Sequence, residues 1–61
     1  MWIMSKTFGW YNSDYIRHLE CPSDFVLATM HDGSVKRVTT AACFEDIRHA
    51  IILNHDFVEV D

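Results

Sequence analysis

Cysteine is scarce in this 61-residue chain. Cys21 and Cys43 can make at most one bridge, which excludes a multiply stapled scaffold. Long apolar runs are absent too: Ala50-Ile51-Ile52-Leu53 falls far short of the roughly 20 residues that a spanning helix requires, so no membrane anchor is expected. No secretory segment is read at the start, where Met1-Trp2-Ile3-Met4 is interrupted by Ser5 and Lys6, and the expected setting is reducing and cytoplasmic. Cations are few. Five Lys and Arg stand against nine Asp and Glu, a net charge of -4 that repels a phosphate backbone and makes nucleic acid an unfavoured partner. Repeats, low-complexity tracts, linkers and recognisable catalytic or nucleotide-binding signatures are all missing.

What is present is apolar and aromatic. Hydrophobic residues make up 49% of the chain, with two Trp, two Tyr and four Phe, a composition that folds. A single domain of this length buries only about 60% of the surface its unfolded form exposes. Small domains of that kind need dense packing, a metal, a bridge or a partner.

The most informative stretch is Phe25 to Asp61. Two apolar runs, Phe25 to Met30 and Val35 to Thr39, meet at His31-Asp32-Gly33-Ser34 and read as a β-hairpin. A two-residue turn at Asp32-Gly33 places Leu27 opposite Val38, whereas a three-residue loop with Gly33 as the bulge places Val26 there. Both parities of the first strand are apolar, so it is expected to be central and covered on both faces. Thr39 or Thr40 is positioned to cap a long helix from Ala41 to about Asn54, with Phe44, Ile47 and Ile51 as its core stripe and Cys43 and Ala50 beside it. Asn54-His55 then stops the helix, and a last strand runs from Asp56 to Val60.

Upstream, Trp2 to Tyr11 reads as one strand with a bend or bulge at Gly9; Trp2, Met4, Phe8 and Trp10 share a parity, and Lys6 also falls on it. Asn12-Ser13-Asp14 can cap a short helix carrying Tyr15, Ile16 and Leu19, limited by Pro22. The expected fold class is therefore α+β: a mainly antiparallel sheet of three or four strands against one long helix, in β-(short α)-β-β-α-β order. One helix covers one face. The other, with Val26, Met30 and Phe57, needs the N-terminal segment, a second copy through the sheet, or a target protein to cover it.

Candidate chemistry is thin. His18 and Cys21 have the gap of a zinc pair, with Cys43, His49 and His55 as further ligands, yet only one close pair exists where a structural site shows two. No cofactor or metal is expected, and a small metal-stabilised domain on His18 and Cys21 is the alternative reading. A nucleophilic Cys43–His49 pair fails on geometry: six positions on a helix separate them by about 9 Å of rise and roughly 120° of rotation. Lys36-Arg37, the one adjacent basic pair, reads as a solvated strand protected by charge, with weak nucleic-acid binding as its sharper alternative. The nine acids are too scattered to imitate regularly spaced phosphates.

The aromatics carry the functional expectation. Core packing accounts for Phe8 and at least one Trp, while Trp10, Tyr11 and Tyr15, with Arg48, Ile52 and Leu53 on the helix, are the candidate partner-binding residues. The expected function is a non-enzymatic intracellular protein-binding module, an inhibitor or regulator of the phage or mobile-element accessory type that occupies a surface of a larger protein. No family resemblance emerges from these residues.

Overall fold

The computed structural model describes residues 1–61 as an α+β fold. Two three-stranded sheets and one helix surround the core, where a single sheet against a long helix was expected. The first sheet has the order β2-β1-β6, from β1 (Trp2–Ser5), β2 (Gly9–Asn12) and β6 (Phe57–Val60). β1 pairs antiparallel with β2 and parallel with β6. The second has the order β3-β4-β5, all antiparallel, from β3 (Ile16–Glu20), β4 (Phe25–Met30) and β5 (Val35–Thr40).

The N-terminal segment is a hairpin, not one strand. The chain reverses through Lys6-Thr7-Phe8 and re-enters at Gly9, whose φ of 97° is a conformation that a side chain resists. The buried Ser5 holds the turn by accepting the Phe8 backbone N–H on Oγ at 2.9 Å. The short helix expected after Asn12 is one 3-10 turn, Ser13–Tyr15, capped as anticipated by Asn12 Oδ1 accepting the Asp14 N–H at 3.0 Å. Beyond it Ile16 to Leu19 is strand. Register slips between Ile16 and His18, so Arg17 is an extra residue, and Ile16 and Leu19 both pack against the core despite an odd spacing. That spacing imitates a helical face.

The β4–β5 hairpin follows the three-residue loop beside its turn: Met30 and Ser34 pair around His31-Asp32-Gly33, and Thr29 opposes Val35. A second slip between Val26 and Leu27 makes Val38 the extra residue, opposite neither Leu27 nor Val26. This bulge lets two successive residues, Val38 and Thr39, both turn inward. Gly33 sits at φ 90° with open space where a Cβ would stand, so the cost of Gly33→Ala is backbone strain alone. It is expected to destabilise by about 1–2 kcal/mol, read from the denaturation midpoint.

Asp32 stabilises the same turn. The Ser34 hydroxyl donates to Asp32 Oδ1 at 2.7 Å and the Ser34 backbone N–H at 2.9 Å. These bonds, the hydroxyl first, hold the Asp32 carboxyl below its ordinary value, with Lys36 adding a smaller pull. A depressed folded pKa means the contribution is complete above the unfolded pKa and lost as pH falls through the folded one. The Ser34 amide is therefore expected to lose exchange protection on acidification below about pH 4. Asp32→Asn should abolish that dependence, and NMR reads both.

A 3-10 turn, Ala41–Cys43, leads into α1 (Phe44–Ile52), a helix of 9 residues and shorter than anticipated. Neither threonine hydroxyl caps it. Thr39 Oγ1 is buried and donates to Asp61 Oδ1 at 3.2 Å, while Thr40 Oγ1 lies 3.9 Å from Cys43 Sγ. The helix stop is where expected: Asn54 adopts φ 59°, its N–H reaches Ile51 O and the His55 N–H reaches Ala50 O, the pair of bonds that ends a helix in a left-handed residue.

Ile3, Val26, Ala28, Val38, Ile47 and Val60 form the core, drawn from both sheets and α1. The apolar parities of β4 are thus inverted relative to expectation. Val26 and Ala28 are buried against Ile3 and Val60 of the first sheet and Ile47 of α1, so the N-terminal segment, one of the covers anticipated, contributes to covering them. Phe25 and Leu27 face outward, where Phe8 meets Phe25 edge-on at 5.9 Å and the Arg37 guanidinium lies over its ring at 4.1 Å. On α1, Ile47 and Ala50 are buried but Ile51 is about half exposed, so the core stripe is narrower than expected.

Candidate functional site

The β2-β1-β6 sheet has an uncovered face. Ile3 and Ser5 are buried, Tyr11 packs against the core, and Val58 and Val60 do the same, so alternation turns Trp2, Met4, Trp10, Asn12, Phe57 and Glu59 the other way. Register arranges them in two rows. Trp2 stands between Asn12 and Phe57, and Met4 between Trp10 and Glu59. Exposure follows: 46% for Trp2, 68% for Trp10 and 54% for Phe57. Two indoles, a phenyl and a thioether share one small surface with a single carboxylate, and β1, β2 and β6 contain no Lys or Arg.

Of the residues singled out in the sequence, Trp10 belongs to this face. Tyr11, its neighbour, does not: it points inward and is half buried. Neither tryptophan is a core residue, against the expectation that at least one would be, because the gap between the sheets is filled by Ile3, Val58 and Val60. Tyr15 is exposed on the 3-10 turn, away from the face. Ile52 and Leu53 are exposed at the end of α1, a short loop before Phe57. Arg48 is exposed and paired with Glu45 at 2.8 Å. Phe57 was expected on a face needing cover, though not among the named partner-binding residues; Trp2 and Met4 were not singled out. The available signal is the parity that Trp2 and Met4 share with Trp10.

The other candidates are dispersed. His18 is exposed on β3 while Cys21 turns toward the core and its thiol donates to Ser23 O at 3.7 Å. No three His, Cys, Asp or Glu side chains converge as a metal site would require. Neither thiol hydrogen-bonds a histidine. Lys36 and Arg37 point to opposite faces of β5, and Arg37 is engaged with Phe25, so the pair makes no common basic surface. An open groove of ≈ 250 Å³ runs between β3 and Ile51, lined by Ile16, Arg17, His18 and Leu19. It is shallow and offers no convergent polar groups. No helix is long and apolar enough to cross a membrane. No family model, curated protein or solved structure matches the chain.

Proposed function

We propose that this protein is a non-enzymatic protein-binding module, an inhibitor or regulator acting in the cytoplasm, that occupies a surface of a larger protein through the outer face of its β2-β1-β6 sheet. The observation that carries the reading is the concentration of Trp2, Trp10, Phe57 and Met4 on one face that no element of the fold covers. Exposed tryptophan is costly in water and is the residue type most enriched where binding energy concentrates. Size and acidity fit the accessory type encoded by phages and mobile elements.

The test is affinity capture from the source cell's lysate, or the host's if the gene is viral, with wild type, Trp10→Ser and Ile52→Ser compared. A partner kept by wild type and Ile52→Ser but lost from Trp10→Ser supports the face. Equal capture by all three overturns it, as does turnover by the purified protein that disappears when Cys21 or His18 is replaced.

A further inference from the structure

Taking the outer face of the β2-β1-β6 sheet as the binding surface, we propose that its occupant is a short extended peptide segment bearing arginine or lysine. Its cation would lie over the indole of Trp2 or Trp10 and pair with Glu59.

Charge favours this occupant. The three strands hold one acid, Glu59, in the same row as Met4 and Trp10, and no base. Lys6 follows β1 in the turn, outside the three strands, and the chain as a whole has a net charge of -4. A cation over an indole face is attracted by the ring's quadrupole, and Glu59, diagonal to Trp2 across β1–β6 and separated from Trp10 by Met4, adds a charged hydrogen-bond acceptor on the same face. The other sheet supplies an internal contrast. There the outward-facing Phe25 is already capped by the protein's own Arg37 guanidinium at 4.1 Å. Trp2, Trp10 and Phe57 have no such cation, so the same contact is open to a partner's side chain.

Size and sign disfavour the other occupants. Three strands about 4.8 Å apart, each of four residues rising about 3.3 Å, give a face of roughly 14 by 13 Å. Even roughened by two indoles, that is well under the ~800 Å² per partner of a stable pair of folded surfaces. A second copy would also bring its own Glu59 to a face that already holds one. A nucleic acid could stack on the rings, but its phosphates would lie beside Glu59, with no base in the three strands to meet them.

The protein reports on itself, because Trp2 and Trp10 are its only tryptophans and both lie on this face. The full chain is titrated, with tryptophan emission as readout, against a capped ten-residue arginine-glycine repeat, its citrulline counterpart and an oligodeoxythymidine. Saturable binding of the arginine peptide is expected, at least ~10-fold weaker for citrulline and about fivefold weaker for Glu59→Gln. Glu20→Gln, the same charge change at an exposed residue of β3, should stay within about twofold of wild type. Melting curves establish that both variants fold. Equal affinity for citrulline, equal loss in Glu20→Gln, tighter binding of the oligonucleotide, or sedimentation showing a dimer that consumes the face each overturns the proposal. If the arginine peptide fails while Trp10→Ser still abolishes capture, the cationic occupant is wrong and the binding face stands. Capture that survives Trp10→Ser removes the face itself.

Discussion

Ile47→Ala is expected to remove most of the cooperative stability of this protein. Ile47 has no exposed surface and is the α1 member of a core that otherwise comes from the two sheets. Truncating a buried isoleucine loses its transfer free energy and leaves a cavity, about 2–5 kcal/mol together. Native domains are stable by only about 5–15 kcal/mol, and a chain this short lies near the bottom of that range. Only 9 of the 61 residues are buried, so few other contacts can compensate. A drop in Tm of at least ~10 °C, or loss of a cooperative transition, is the expected result. Ile51→Ala supplies the control. About half of that side chain is already in water, and its truncation should cost less than about 1 kcal/mol. Similar shifts for the two variants would contradict the placement of α1.

Trp10→Ala should do the reverse, leaving the fold intact and removing the function proposed for it. The side chain is 68% exposed on an outer strand, so truncation should change stability by no more than about 0.5 kcal/mol. In an interface, a buried tryptophan anchor contributes at least ~2 kcal/mol, roughly a 30-fold loss of affinity when truncated. Calorimetric titration of the captured partner measures the second quantity and denaturant unfolding the first. A variant that binds normally, or one that fails to fold, refutes the assignment of Trp10 to an open binding face.

Much of the C-terminal half was legible, because its signals are local. Gly33 after Asp32 marks a turn whose φ only glycine tolerates well, and Asn54 marks a helix end by the same backbone argument. The two bulges were not legible. An extra residue at Arg17 makes Ile16 and Leu19 share a face at a spacing that alternation assigns to a helix, and the extra Val38 defeats both simple hairpin registers. No residue type announces either one. The β1–β2 turn was hidden for a related reason, since Lys6-Thr7-Phe8 carries none of the usual turn residues and only Gly9 hints at a reversal.

The site was half legible. Exposure of Trp10, Tyr15, Ile52 and Leu53 agrees with their selection as surface residues. Trp2 escaped because alternation separates two faces without saying which is inside, and Phe57 was assigned to an uncovered face without being named as a contact residue. That choice is made by tertiary fit. Small branched residues, Ile3, Val58 and Val60, match the narrow space between the sheets, and the larger aromatic parity is left outside.

The parallel pairing of β1 with β6 also dictates when the molecule can fold. Ile3 finds its neighbour on β6 at Val58, and Ser5 at Val60, so the first strand's second partner lies far downstream in sequence. Contacts of such sequence separation are slow to close and yield their reward only at the end. Until β6 is available, Ile3 lacks the neighbour that helps bury it. The β2-β1-β6 sheet is therefore completed only when the two ends of the sequence meet, whatever local hairpins form first.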